Sequence, residues 1–585
     1  MNTWVRQLPV SKLFAAYTKL LGASSGTLKQ DLLAGITVSL VAIPQSLAYA
    51  QLAGVPAYYG LYAALIPTII GALFGSSRQL STGPVAMTSL LTAASVAPLA
   101  AHGSEMFYAY VILLALLSGL FQVLFGALRM GVLLNFLSHP VLMGFINAAA
   151  IIIGLSQLPT LLGISANQSE HFLLDIWQVL THIDTMHGVS VAFGLSAIIL
   201  LLAFKKLAPR LPGVLITVVL LTFTSYMIDY AEMGGKVVGL VPQGLPTIGL
   251  PLLDWHATML LLPAAFIIAL ISFMEAMSSA KVIAIKTRQP WDENKELIGQ
   301  GLAKIAAAFS HSMPVSGSFS RSALNLATNA RTGFSSVVSA IFVLLTLLFF
   351  TSLLFHLPKP VLAAVIIMAV IGLVNFKALI NAWRASRDDG ISAIVTFFTT
   401  LAFAPNIQNG IITGIILSLA LLLYRMMQPR VAGLGVHSDG TLRDAHRHNL
   451  PALHPRLGAI RFDGALRFVN VSYFEDALLT LERERPSVRY ILVKSNGINY
   501  LDASGVEMLY SLISRFKSNG ITLGFSGLKK QVQEVMDKTN LTLTIGLDNI
   551  FATDQEAFDK LHNRGVIDSK IDLVAKLHPA QLLPA

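Results

Sequence analysis

Apolar residues dominate the first 430 positions, in long runs separated by short polar connectors. Clear runs cover 107–128, 188–204, 212–230, 258–280, 333–355 and 406–427. They approach or exceed the ~20 helical residues that cross a bilayer core. Further runs at 32–50, 58–75, 84–98, 140–158, 296–309, 318–328, 359–373 and 389–404 are short or interrupted by Gly and Pro. The pattern predicts a polytopic helical membrane protein with roughly fourteen segments. An even number returns the C-terminus to the side of the N-terminus.

After Gln428 the texture changes. Residues 431–457, with Gly, His and Pro, read as a linker. Strand and helix patterns then alternate: strand 458–464, helix 470–484, strand 489–494, helix 503–519, strand 521–526 and helix 528–539. Such alternation predicts a compact α/β domain. The expected organisation is an N-terminal segment 1–30, a membrane domain 31–430, the linker 431–457, an α/β domain 458–570 and a tail 571–585.

Two interruptions stand out. Ser81-Thr82-Gly83-Pro84-Val85-Ala86-Met87-Thr88 and Pro314-Val315-Ser316-Gly317-Ser318-Phe319-Ser320-Arg321-Ser322 each precede a segment too short to span. Pro84 suits the start of a helix and the serines suit N-caps. Irregular backbone at membrane depth is tolerated only inside protein or along a polar cavity. Two such breaks, similarly placed in two halves, point to a binding site between inverted repeats. The first-half start near Leu32 and the second near Phe266 give that spacing, with little residue identity between halves.

Composition narrows the function. Only 12% of residues are charged, and the net charge is +10. Residues 433–585 hold 18 Lys/Arg and 17 Asp/Glu, leaving 23 and 14 for the rest. The excess sits in connectors, at Lys12, Lys19, Lys29, Lys205, Lys206, Arg210, Lys281, Lys286 and Arg288. This fits cytoplasmic loops, and a cytoplasmic N-terminus, rather than nucleic-acid binding. Cysteine is absent, which excludes disulfides and thiolate metal sites. The fourteen histidines show no ligand-like cluster, and no cleaved leader, phosphate-binding loop or catalytic motif appears. An enzyme, an ATP-driven pump and a cofactor are therefore not expected.

Candidate chemistry lies in the breaks and beside them. Glu275 sits deep in an apolar run, where a carboxylate is costly and functional by default. In such surroundings a carboxyl can exist in its neutral form and so carry a proton. The alternative is a structural hydrogen-bond partner near Lys281. Arg321 is a permanent positive charge that contacts an anion or pairs with Glu275 for stability. Two facing helix N-termini of ~+0.5 each, with Arg321, would supply about +2. That suits a dianion, or a monoanion if Glu275 is ionised. Ser316, Ser318, Ser320 and the backbone at Val85 and Ala86 are candidate donors. Gln45 and Tyr49, four apart, share one helix face. Gly410 and Gly414 read as helix packing, and His311 as structural.

Asp31-Leu32-Leu33-Ala34-Gly35-Ile36-Thr37, Ile43-Pro44-Gln45-Ser46, Tyr59-Gly60-Leu61-Tyr62, Gly75-Ser76-Ser77-Arg78 and Thr82-Gly83-Pro84-Val85-Ala86 resemble the SulP (sulfate permease) family. So does Gly317-Ser318-Phe319-Ser320-Arg321-Ser322-Ala323-Leu324-Asn325. Leu501-Asp502-Ala503-Ser504-Gly505 resembles the strand–helix turn of a STAS domain. The resemblance implies fourteen segments in two inverted sets of seven, forming core and gate domains. It implies substrate contacts from Gln45, Tyr49, Val85, Ala86, Ser318, Phe319, Ser320 and Arg321, with Glu275 linked to cation coupling. It makes Asp502 and Ser504 candidate regulatory positions, with plain helix capping as the rival reading.

The resemblance implies secondary active transport of an inorganic anion, with proton-coupled sulfate uptake favoured. Sodium–bicarbonate symport, with Glu275, Ser278 and Ser279 around sodium, is the main alternative, followed by dicarboxylate or chloride transport. A membrane sensor or scaffold signalling through the STAS domain is the rival of another class. A homodimer in the inner (plasma) membrane with cytoplasmic termini is expected, with a possible regulatory protein at the STAS domain.

Overall fold

The computed structural model describes residues 25–131, 138–164, 172–208, 211–568, 570, 571 and 573. Lys12, Lys19, Arg210 and most of the expected tail 571–585 lie outside them. The chain forms two compact units, residues 1–418 and 419–585.

The first unit is helical. It begins with α1 (Ser25–Leu52), α2 (Ala57–Ala63) and α3 (Ile66–Phe74), then a short strand β1 (Ser81–Gly83) and α4 (Ala86–Val96). Next come α5 (Glu105–Ala127), α6 (His139–Ser156), α7 (Gly188–Leu207) and α8 (Gly213–Met227). The second half has α9 (Trp255–Thr287), α10 (Glu293–Phe309), β2 (Ser316–Ser318) and α11 (Phe319–Ala327). It continues with α12 (Phe334–Phe349), α13 (Lys359–Ile371), α14 (Phe376–Ala385), α15 (Arg387–Ala402) and α16 (Gln408–Met427). Short helices Leu158–Leu162, Phe172–Thr181 and Thr351–Phe355 lie in the connections.

Among the described residues, eight helical stretches are long and apolar enough to cross a membrane, and shorter apolar helices accompany them. The expected number of segments is therefore not reproduced by length alone, because several apolar helices are too short. Glycine sets the tightest helix contacts. A Cβ on Gly119 of α5 would lie 2.8 Å from Gly301 O of α10, and one on Gly301 would lie 2.8 Å from Gly119 O. On α16, a Cβ at Gly410 or Gly414 would meet Thr400 or Thr396 of α15 at 2.3 and 2.1 Å, so this pair serves packing as expected. Outward-facing Leu195, Ile199 and Leu202 of α7, and Val219, Leu220 and Phe223 of α8, are exposed. Apolar side chains on the outside of an apolar helix suit hydrocarbon rather than water.

The second unit holds a six-stranded sheet in the order β4-β3-β5-β6-β7-β8. The strands are β3 (Arg430–Val436), β4 (Leu442–Asp444), β5 (Leu457–Asp463), β6 (Tyr490–Lys494), β7 (Thr522–Ser526) and β8 (Ile550–Phe551). β5 to β8 run parallel, joined through α17 (Val471–Glu484), α18 (Ala503–Ser518) and α19 (Lys530–Lys538), with α20 (Asp554–Asn563) at the end. Burial on both faces explains why β6 reads as an unbroken apolar run. Ile491 and Val493 enter one core with Phe474, Leu512 and Phe516, while Tyr490 and Leu492 enter another with Phe551 and Phe558. The stretch expected to be a linker departs from its reading. It supplies β4 and most of β3, which pairs antiparallel with β5 from Arg430↔Asp463 to Gly433↔Ile460. Its Gly and His content hid the alternation that buries Ala432 and Leu434.

Candidate functional site

The two broken segments meet. β1 and β2 pair antiparallel, with Ser81 opposite Ser318, Thr82 opposite Gly317 and Gly83 opposite Ser316. β1 leads through Pro84 and Val85 into α4, and β2 leads directly into α11. Because the strands run in opposite directions, the helices leave in opposite directions. Both helix N-termini are thus held at one three-residue ladder.

The sequence makes this possible through small residues. A Cβ on Gly83 would lie 2.9 Å from Arg321 Nη2, and one on Gly317 would lie 2.8 Å from Ala276 Cβ. Irregular backbone here needs internal partners, and side chains supply them. Ser322 Oγ accepts from Ser81 N at 2.8 Å. Thr68 Oγ1 donates to Thr82 O at 2.8 Å, and Gln300 Nε2 donates to Thr82 Oγ1 at 2.8 Å. Asn325 Nδ2 donates to Gln79 O at 3.2 Å.

Two buried carboxylates anchor the loops beside the ladder. Glu296 Oε2 accepts from Ser76 N at 2.9 Å and Ser77 N at 2.7 Å. Asp31 Oδ1 accepts from Arg331 N at 2.6 Å, and its Oδ2 accepts from Thr332 Oγ1 at 2.5 Å.

The helix starts differ. Val85 occupies the N-cap of α4 in extended conformation, and no side chain caps the helix. Its first-turn N–H groups form an electropositive terminus suited to an anion. On α11, Ser318 Oγ accepts from Arg321 N at 3.4 Å. Phe319 and Ser320 are exposed beside it, while Ser318 and Arg321 are buried. Ser316, a candidate donor, is otherwise engaged: its Oγ donates to Ser272 O at 2.8 Å.

Arg321 reaches across the ladder. Nη1 donates to Pro84 O at 2.9 Å and Nε to Ser81 Oγ at 3.4 Å, while Nη2 is buried with no hydrogen-bond partner. Among the described residues it forms no close ion pair with Glu275, although the two side chains interact electrostatically. Glu275 lies on α9 directly before Ala276, which packs on Gly317, and its Oε2 is buried with no hydrogen-bond partner. Gln45 and Tyr49 are both buried on α1, which packs against α4 and α11, and Gln45 Oε1 also has no partner. The exposed Ser278 and the buried Ser279 lie one turn beyond Glu275. His311 is tied to Thr247 Oγ1 at 3.2 Å.

Sequence reading missed Lys304. It is fully buried on α10, and its Nζ donates to Gln122 Oε1 at 2.9 Å and to Ser272 Oγ. The rule that singled out Glu275, a charge within an apolar run, applies equally to Lys304.

In the second unit, Asp502 caps α18. Oδ1 accepts from Gly505 N at 2.9 Å, and Oδ2 accepts from Phe468 N at 2.8 Å. Ser504 is exposed in the first turn.

This arrangement can hold a small anion: an open helix terminus, an exposed serine and the buried Arg321 meet at two broken helices. The sulfate permease family matches residues 28–396, and the STAS domain matches residues 452–557. "Sulfate transporter 4.1, chloroplastic" of Arabidopsis thaliana is 33% identical over 552 residues, covering 90% of this chain and 79% of that one. "High affinity sulfate transporter 1" of Stylosanthes hamata is 30% identical over 554 residues, covering 90% and 82%. The murine Solute Carrier 26 family member A9 anion transporter in its inward-facing state shares the fold, with a TM-score of 0.86 at 20% identity over 94% of each chain. The transmembrane domain of the cyanobacterial bicarbonate transporter BicA aligns with a TM-score of 0.57 at 22% identity, over 68% of this chain and 98% of that one. The chain is a multi-pass membrane anion transporter of the sulfate permease family, with a C-terminal STAS domain.

Proposed function

We propose that this chain takes up sulfate together with a proton, by alternating access of the site at the β1–β2 ladder. The observation that carries the reading is the pair of broken helices whose N-termini share that ladder. Aligned N–H dipoles at α4 and the positive charge of Arg321 favour an anion there. Gln45, Tyr49, Val85, Ala86, Ser318, Phe319 and Ser320 form its surroundings. The sulfate assignment draws on the relatives named as sulfate transporters.

Glu275 serves as the coupling group. A buried carboxylate oxygen without a partner is costly unless it is protonated or pairs with a cation. Protonation removes a negative charge close to a dianion and so strengthens anion binding. The helices carrying the ladder then move as a body against the rest of the membrane unit. The protein works in the plasma membrane, as a homodimer with cytoplasmic termini, and Ser504 offers its STAS domain a regulatory position.

The test is uptake into proteoliposomes, with sulfate, bicarbonate, succinate and chloride compared at two pH values. Sulfate uptake that rises with an inward proton gradient is expected. Glu275→Gln should abolish that gradient dependence. An unchanged pH response in Glu275→Gln would sink the coupling role. Uptake of bicarbonate that needs sodium and ignores the pH gradient would assign sodium–bicarbonate symport instead.

A further inference from the structure

Lys304 is a lysine with no exposure, and the coupling scheme above does not use it. Its two hydrogen-bond acceptors, Gln122 Oε1 and Ser272 Oγ, are both neutral. It forms no ion pair among the described residues. The acceptors are held in place for it. Gln122 Nε2 donates to Ala269 O at 3.0 Å and to Ser272 Oγ at 3.1 Å, which turns the amide oxygen toward Nζ. Ser272 Oγ also contacts Ala269 O at 3.3 Å as donor, so that its lone pairs accept from Gln122 and Lys304. The two oriented acceptors take two of the three N–H groups an ammonium carries.

Two residues connect this cation to the ladder. Ser272, which receives Nζ, has its carbonyl bonded to Ser316 Oγ at 2.8 Å, and Ser316 pairs with Gly83. α10 also packs directly against β2. Ser272 lies one helical turn before Glu275.

The buried charges around the ladder then sort by their partners. Asp31 and Glu296 are each satisfied by backbone N–H groups of neighbouring loops. Arg321, Lys304 and Glu275 form no close ion pair among the described residues, although the Glu275 carboxyl interacts electrostatically with both cationic side chains. With Glu275 neutral, the remaining two are both positive. Arg321 with the two helix termini supplies about +2, and Lys304 adds one further unit, whose field acts twice as strongly on a dianion as on a monoanion.

We propose that Lys304 is a specificity-determining residue, the second full positive charge that makes the ladder site prefer a divalent over a monovalent oxyanion. This rests on the anion-uptake reading above. It acts through its field rather than by contact. At a separation of ~10 Å and an effective dielectric constant of ~20, one extra unit of anion charge changes relative affinity by about tenfold or somewhat more. An uncharged side chain at 304 removes that preference, while the anion still meets Arg321 and the terminus of α4.

The test uses the full chain in proteoliposomes. Labelled sulfate uptake is measured with unlabelled sulfate or nitrate as competitor, for the natural protein, Lys304→Gln, Lys304→Asn and Lys304→Arg. Gln and Asn retain hydrogen bonding without charge; Arg retains the charge. The preference for sulfate over nitrate is expected to fall about tenfold in Lys304→Gln and Lys304→Asn and to be largely kept in Lys304→Arg. An unchanged preference in either neutral variant overturns the proposal. So does a parallel loss of sulfate and nitrate recognition in all three variants, which marks Lys304 as a structural bridge between α5, α9 and α10. If the neutral variants do not fold, sulfate and nitrate binding to purified Lys304→Arg decides: a preference lost despite retained charge overturns the proposal, and a preference kept supports it. Natural protein that takes up another anion but no sulfate overturns the uptake reading itself, and this is visible before any variant is made.

Discussion

Single residues at the ladder are constrained by space as much as by charge. Gly317 faces Ala276, and Gly83 faces the Arg321 guanidinium, with no room for a methyl group in either place. Gly317→Ala must move α9, and overpacking of this kind costs roughly 1–3 kcal/mol. We expect Gly317→Ala to lower both thermal stability and anion uptake, checked by melting of the purified protein and by liposome flux. Gly83→Ala meets the end of a longer side chain instead. Its expected effect is on anion recognition, as a higher half-saturation concentration with a smaller change in melting.

A different residue-scale prediction belongs to the STAS domain. Hydrogen bonds from the Thr441 hydroxyl and backbone N–H, with His437 and Arg443 alongside, hold the Asp439 carboxyl well below the usual carboxylate range. A lowered carboxyl stabilises the fold above its ordinary value, and that stabilisation is lost as pH falls through the folded value. Asp439→Asn should therefore speed hydrogen exchange at the Thr441 and Ala445 amides at pH 7, and the difference should narrow as the pH is lowered below ~4. A gap that widens in acid would contradict the assignment. Glu275 was legible in the sequence because a lone acid in an apolar run has few structural explanations. Lys304 was as visible by the same rule. Its partners Gln122 and Ser272 were not, since they come from helices 182 and 32 residues away.

At the scale of elements, the breaks were legible and their pairing was not. Gly83, Pro84 and the Ser316–Ser318 stretch announce irregular backbone from composition alone. Nothing local shows that Ser81 lies opposite Ser318, because the register joins chain segments far apart. The direction of Arg321 was also hidden: a position on a short helix does not say which neighbour its guanidinium meets. Close packing of α5 on α10 depends on Gly119 and Gly301. Gly119→Leu should separate these helices and displace Lys304 from Gln122. The expected outcome is loss of folded protein, or recovered protein melting well below the natural chain, measured by size-exclusion fluorescence.

At the scale of the whole molecule, the boundary between the two units has a practical consequence. A fragment starting at residue 458, as the sequence pattern suggests, lacks β3 and β4 and exposes the edge of β5. A fragment of residues 429–573 keeps the full sheet. We expect the shorter fragment to melt at least ~5 °C lower and to associate through its bare edge, as unpaired strands do. Equal melting of the two fragments would show that β3 adds nothing to the domain.

The three-residue ladder, finally, makes two half-helices one mechanical part. Drawing the N-termini apart would break backbone pairs that have no water to replace them. The proposed anion site is therefore a fixed socket rather than a pair of jaws, and little ordering would accompany entry of the ion. Such a socket should grip its anion almost equally from either face of the membrane. Net direction then comes from the ion gradients alone, and the same protein should run backwards when they are reversed.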